Sequence, residues 1–134
     1  MAENRAGSIL AVDFGNVHTR AVLIDLVDGT YRPVGYSEVA TTAGFPHGDV
    51  NIGMVRALHQ ISHGTGRQLL HPDETVLSPE LPDRSGVDSF LVTTSIGRPM
   101  RTVMIGLTRD MSVASALRAV AGTYVQVVET LTLE

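Results

Sequence analysis

The chain has 134 residues, a formal net charge of −4 at neutral pH and no cysteine. The lack of cysteine excludes disulfides, thiolate metal sites and thiol nucleophiles, and the acidic balance without a basic block argues against a nucleic-acid partner. No apolar run approaches the roughly 20 residues of a membrane span, and the first seven residues are too short and polar for a signal peptide. We therefore expect one cytoplasmic domain over residues 1–134, with no membrane partner.

The chain opens with a pattern that predicts three consecutive strands. An apolar run predicts the first strand over residues 8–14. The second is predicted over 19–27 and ends at Asp28-Gly29, a strong hairpin signal. The third, over 31–42, alternates partly and has Pro33 near its start, which is typical of an edge strand. The sequence therefore predicts an antiparallel meander.

A helix is predicted next, over residues 50–63. Asp49 is a favourable N-cap, and Gly64 and Gly66 are expected to end the helix. Apolar residues recur at helical spacing and predict one buried face: Val50, Met54, Val55, Leu58 and Ile61.

The second half of the chain is less regular. Residues 69–88 carry four acidic residues before Asp88, three prolines and little periodicity, so we expect a solvated segment that is either mobile or in contact with a partner. Ser112 is expected to cap a short helix that ends at Gly122. Three further strands are predicted, over 89–96, 101–107 and 124–133. The predicted fold class is α/β with a mixed sheet, in the order β-β-β-α-β-β-α-β.

The turn between the first two strands contains the residues most suggestive of function. Its pattern is Asp-x-Gly-x-x-x-Thr, from Asp13 to Thr19, followed by Arg20. A carboxylate at a strand end can hold a hydrated divalent cation, while Gly15 allows close backbone approach, and a hydroxyl and a guanidinium suit phosphate. The alternative is an ordinary hairpin, in which Asp and Gly are favoured for conformational reasons.

Other candidate sites are weaker. His59 and His63 have the i, i+4 spacing of zinc ligands, with His47 or His71 as a third ligand, but exposed helix histidines are far commoner. The sequence shows no convincing nucleophile–base pair, so we assign no catalytic residue.

The sequence also resembles a known family. The segment from Asp13 to Asp25 resembles the first phosphate motif of the actin-like ATPase superfamily. Three later segments, in this order, resemble the MutL-type accessory proteins of glutamate mutase, which are unrelated to the mismatch-repair protein of that name: residues 48–53 with 64–70, residues 93–108, and residues 113–128.

The resemblance implies an actin-like, ribonuclease-H-like ATPase subdomain that binds ATP with Mg²⁺. It implies that Asp13 holds the Mg²⁺ shell, that Gly15, Asn16 and Thr19 contact phosphate, and that Arg20 is a basic phosphate contact. The expected partners are a nucleotide, the remaining ATPase subdomains and a cobalamin-dependent mutase.

We therefore expect the N-terminal nucleotide-phosphate-binding portion of an accessory or reactivating ATPase. Because one hairpin supplies one side of a nucleotide clamp, we expect no appreciable ATP turnover by these 134 residues alone. Two alternatives stay open at this point: a non-catalytic protein-binding module on the same fold, and a fragment of a sugar- or acyl-type kinase.

Overall fold

A computed structural model of the protein describes residues 7–121, 123 and 125–133. They divide into two compact units, one ending at Ile96 and the other beginning at Gly97. The prediction of one subdomain over residues 1–134 stays a prediction. The elements are, in chain order, β1 (Ile9–Phe14), β2 (His18–Val27), β3 (Thr30–Ala40), α1 (Val50–Thr65), β4 (Ser89–Thr94), β5 (Met100–Gly106), a π-helical turn (Arg109–Val113), α2 (Ala114–Val120) and β6 (Val125–Thr132).

The first unit contains a mixed four-stranded sheet, in the spatial order β3-β2-β1-β4. Strands β1, β2 and β3 form the predicted antiparallel meander, and β4 returns parallel to β1. Strand β3 has a one-residue bulge between Pro33 and Gly35. As a result Gly35 lies opposite Leu23, and Pro33 lies opposite Ile24. The predicted α/β class with a mixed sheet is confirmed for this unit.

Helix α1 packs across β2 and β3. Its start is the predicted one, because Asp49 Oδ1 accepts the Asn51 N–H at 2.9 Å. Its end lies later than predicted. Gly64 belongs to the helix, and Gly66 ends it with a left-handed φ of 72° while its N–H donates to the Ser62 carbonyl. Buried residues of α1, of the two central strands β1 and β2 and of residues 69–87 form the core: Leu10, Val12, Phe14, Ala21, Leu23, Ala57, Leu58, Ile61, Leu69, Leu70 and Val87.

Residues 69–88 were expected to be either mobile or in contact with a partner, and the acidic part from Asp73 to Asp88 to be solvated. Most residues between 71 and 85 are exposed, but the segment packs on the core through a few apolar side chains. Leu69, Leu77 and Val87 are buried, and backbone hydrogen bonds link Leu77 to both of the others. The missing periodicity reflects two tight turns, not disorder. In each turn an aspartate, Asp73 or Asp83, accepts hydrogen bonds from the N–H and hydroxyl of the residue two positions later.

A buried arginine joins this segment to the sheet. Arg67 donates to the Gly86 carbonyl at 2.9 Å, to Asp25 at 2.9 Å, and to Ser8 Oγ and Glu80 at 2.8 Å each. Four of its five N–H donors can thus be accounted for, as a buried guanidinium requires. The cluster therefore links the start of β1, the end of β2 and residues 80–86.

The second unit contains β5 and β6, which pair in parallel. Between them, the helical segment begins at Arg109, after Thr108. The predicted Ser112 cap is wrong, because the Ser112 hydroxyl lies inside the π-helical turn and hydrogen-bonds the Thr108 N–H and carbonyl. The predicted helix end at Gly122 lies outside the described residues. Among the described helices, none has the length and apolar character needed to cross a membrane.

The core position of α1 gives a stability prediction. Leu58 is fully buried between the helix and the sheet, so Leu58→Ala should lower the free energy of unfolding by about 2–5 kcal/mol. His59→Ala, at an exposed position on the same helix, is the control and should change little. Urea unfolding measures both, and a Leu58→Ala loss below about half a kcal/mol would show that this face is not core.

The Glu80 carboxylate gives a pH prediction. Burial raises its pKa, but hydrogen bonds from Ser8 and Arg67 outweigh burial and the pKa lies below its ordinary value. A lowered folded-state pKa stabilises the protein above the unfolded value of about 4.3, and this stabilisation is lost as the pH falls through the folded value. We expect Glu80→Gln to cost about 1–3 kcal/mol at pH 7 and less at pH 3.5.

The matched control for Glu80 is Glu74→Gln, which removes the same charge from an exposed side chain of the same segment. Urea unfolding from pH 3.5 to 7 should show a pH-dependent difference for Glu80→Gln only. Equal pH profiles for the two variants would contradict an ionised Glu80 in the cluster.

Candidate functional site

The β1–β2 turn is tight because Gly15 lies against the backbone of the next strand. The Gly15 N–H donates to the His18 carbonyl at 2.9 Å. A Cβ at this position would lie 2.8 Å from that same oxygen, which is closer than a side chain tolerates. The end of β1 is also tied to the residue after β4, since the Ser95 N–H donates to the Phe14 carbonyl at 3.0 Å. The turn is therefore fixed at both sides.

Strand alternation decides which predicted residues share a face. Asp13 and Arg20 lie directly opposite each other across β1 and β2, and Phe14 lies opposite Thr19 in the next pair. Successive side chains of a strand point to opposite faces, and Phe14 and Thr19 are on the buried, helix-covered face. The structure therefore places Asp13 and Arg20 on the same open face and Thr19 on the other. On that face Asp13 contacts Thr93 on β4, whereas Arg20 contacts Glu38 on β3.

Asp13 has one oxygen engaged and one free of hydrogen bonds in the described part of the chain. Thr93 on β4 is in register with it and donates its hydroxyl to Oδ1 at 2.8 Å. The carboxylate borders a shallow depression of about 110 Å³ whose walls are apolar and include Ala11 and Val22, with Arg20 and Tyr36 also at its lining. Mg²⁺ commonly binds one or two carboxylates and keeps several waters. Asp13 is the side chain here that could hold such a hydrated ion.

The tip of the turn offers further polar groups. Within the described residues, the N–H groups of Asn16 and Val17 make no hydrogen bond, so they are available to an anion. The amide oxygen of Asn16 is buried and also has no partner. Unpaired buried polar atoms are uncommon in native proteins and are often completed by water or a ligand.

Thr19 lies away from this group. Its side chain is fully buried and its hydroxyl has no hydrogen-bond partner. The hydroxyl faces α1, where a Cβ built on Gly53 would lie 3.0 Å from it. Phosphate contact by Thr19 stays a prediction, and the position shows it packed beneath the helix.

Arg20 is held by residues that the sequence did not single out. Its Nε lies 2.6 Å from Glu38 Oε2, directly across the β2–β3 ladder. The hydrogen bond and charge of Glu38 raise the pKa of Arg20, and the hydrogen bond from Arg20 lowers the pKa of Glu38. Glu38 and Thr93 lie 18 and 80 residues from their partners in sequence, so only strand register identifies them.

The zinc site considered for His59 and His63 is not formed by the described residues. No group of three or more His, Asp or Glu side chains that could hold a metal is present among residues 7–121, 123 and 125–133. His59 and His63 therefore lack the third ligand that a zinc site needs. A metal at Asp13 would have to complete its shell with water and ligand oxygens.

Comparison with known proteins gives a family match. The family model described as MutL protein matches residues 9–134. Among solved structures, the chain is similar to one described as diol dehydratase-reactivating factor in nucleotide-free form, with 26% identity and a TM-score of 0.37. The similarity covers 44% of this chain and 10% of the other, so the chain matches about a tenth of that relative's length. No curated protein matches the sequence.

The close approach at Gly15 gives a prediction. Gly15→Ala places a methyl group against the His18 carbonyl and should cost about 1–3 kcal/mol in unfolding free energy. Gly44→Ala is the matched control, because a Cβ there meets nothing within 4 Å, and it should be neutral or slightly stabilising. Chemical denaturation measures both. Equal stability of the two variants would show that the turn does not need its glycine.

Proposed function

The chain belongs to the MutL protein family, and on that premise we propose that it carries the phosphate-binding hairpin of an actin-like ATPase. In this proposal the ATPase is an accessory or reactivating factor of a cobalamin-dependent mutase. The nucleotide is ATP with Mg²⁺, and the site comprises Asp13, Gly15, Asn16, Thr19 and Arg20. In this proposal the protein is cytoplasmic.

The observation that carries the proposal is that Asp13 and Arg20 stand opposite each other in register on one face, beside the turn tip. The two residues oppose each other on the open face, and the turn between them has two N–H groups that make no hydrogen bond within the described residues. A plain hairpin needs neither a carboxylate nor a guanidinium on its exposed face. Together these groups supply what a phosphate with a bound cation requires: one anionic ligand, one cation and backbone donors.

The residues present fit Mg²⁺-nucleotide in donor type. Asp13 offers an oxygen to a hydrated cation, which when bound neutralises phosphate charge. The backbone N–H groups of Asn16 and Val17 supply hydrogen-bond donors, and the Arg20 guanidinium supplies positive charge and a planar donor fork. Thr19 belongs to the proposed site as part of the hairpin; because its buried hydroxyl faces Gly53 on α1, its contact with phosphate would require the side chain to move.

The proposal assigns only one side of the nucleotide clamp to these residues. Phosphoryl-group hydrolysis needs the nucleotide, the cation and the attacking water to be positioned together. We therefore assign turnover to the assembled ATPase, with the remaining subdomains closing over the nucleotide, and not to this chain alone. Association with the mutase rests on membership of the family.

The deciding variant is Asp13→Asn in the full-length protein. Loss of one negative charge at a cation ligand should weaken Mg²⁺-dependent ADP binding at least tenfold, about 1.4 kcal/mol. Isothermal titration with Mg·ADP measures the affinity. Thermal stability should stay near wild type, because the asparagine oxygen can still accept the Thr93 hydroxyl.

Asp28→Asn is the matched control, since it removes the same charge from the β2–β3 turn, where Asp28 has a positive φ of 51° that Asn accepts readily. It should leave affinity unchanged. Equal affinities of Asp13→Asn and wild type would rule out the proposed Mg²⁺-nucleotide site and favour a protein-binding module on the same fold.

A further inference from the structure

A second group of side chains on the open face surrounds the Arg20 guanidinium. Arg20 Nε donates to Glu38 Oε2 at 2.6 Å, and the Tyr36 hydroxyl donates to the same oxygen at 3.1 Å. The Nε2 atom of His18 lies 3.7 Å from the other Glu38 oxygen. All four residues lie on β2 or β3, which are paired over this region. Glu38 is therefore the centre of a cross-strand cluster on two hydrogen-bonded strands.

Glu38 binds Arg20 through Nε, so this hydrogen bond does not occupy the terminal nitrogens Nη1 and Nη2. The Tyr36 hydroxyl is a second, weaker contact of the guanidinium, and it too raises the pKa of Arg20. These two terminal nitrogens form the fork that binds phosphate oxygens in a bidentate manner. The Arg20 side chain is half exposed, and without a fixed contact such a long side chain would have to be ordered by the ligand at an entropic cost.

We propose that Glu38, supported by the Tyr36 hydroxyl, is a positioning residue that holds Arg20 with its terminal nitrogens directed to the phosphate beside Asp13. The inference rests on the proposed function and extends it, since it names the group that prepares the site before the nucleotide arrives. Glu38 touches neither phosphate nor cation in this arrangement. It acts through the orientation of one guanidinium.

A competing effect of the same carboxylate has the opposite sign. Glu38 adds a negative charge near a site that binds an anion, so removing that charge should by itself strengthen binding. Glu38→Gln and Glu38→Ala both remove the charge, but only the glutamine keeps an oxygen that can accept the Arg20 Nε–H. The difference between these two variants therefore isolates positioning from charge.

The experiment measures Mg·ADP affinity of the full-length protein by isothermal titration, for both Glu38 variants in wild-type and Arg20→Gln backgrounds. We expect Glu38→Ala to bind about tenfold more weakly than Glu38→Gln, as loss of a hydrogen bond to a charged group implies. The difference should vanish in the Arg20→Gln background, because nothing is left to position. Tyr36→Phe should give a smaller loss in the same direction.

Two results would overturn the inference while the proposed function stands. Equal affinities of Glu38→Gln and Glu38→Ala, with Arg20→Gln and Asp13→Asn still impaired, would show that the contact does not prepare Arg20. Equal strengthening by both Glu38 variants would show that the carboxylate only competes with the nucleotide.

Failure of the proposed function has a different signature. In that case Asp13→Asn and Arg20→Gln bind as wild type does, or no variant binds Mg·ADP at all. The NMR relaxation of the Arg20 Nε–H group then tests positioning without nucleotide. A rigid Nε–H in wild type and Glu38→Gln, with a mobile one in Glu38→Ala, would support the positioning role, and equal mobility in all three would overturn it.

Discussion

The buried guanidinium of Arg67 is the constraint on which the first unit depends. It is 8% exposed and forms ion pairs with Asp25 and Glu80, each of which is also contacted by Arg84. Two arginines face two carboxylates, so the formal charges balance. Removing one partner of such a buried set leaves an uncompensated charge, which is destabilising. The cluster thereby ties residues 80–86 to the ends of β1 and β2.

This constraint also stabilises the β1–β2 hairpin that contains the proposed phosphate site. The same two strands contact the Arg67 cluster at one end and form the site at the other. The Arg67 cluster holds these strands near Ser8 and Asp25, and the tight turn at Gly15 holds them at the opposite end. Between these points the ladder is regular from Ile9 to Phe14. A site built on such a fixed pair of strands keeps its geometry better than one built on a loop. The Asp13–Arg20 pair therefore lies on one of the most constrained parts of the fold.

The open face of the sheet combines the opposite requirements of stability and binding. The helix-covered face is filled with apolar residues and the buried Thr19. The other face keeps charged side chains at positions 13, 20 and 38, paired with polar neighbours across the strands. Side chains alternate along each strand, so one hairpin provides both faces. Its helix-facing side chains pack against α1, and the side chains between them, on the open face, form the proposed site.

The sequence by itself determined the features that depend on local patterns. Apolar runs, the Asp28-Gly29 turn and the Asp49 cap predicted the meander and the start of α1, since strand period, turn chemistry and capping act within a few residues. The motif order likewise identified the family. Only the tertiary structure decided that Leu69, Leu77 and Val87 are buried and that Arg67 is buried beside them. It alone also decided that Thr19 faces α1, and that Thr93 and Glu38 contact Asp13 and Arg20. These features depend on strand register and on contacts between residues distant in sequence, which no local pattern encodes.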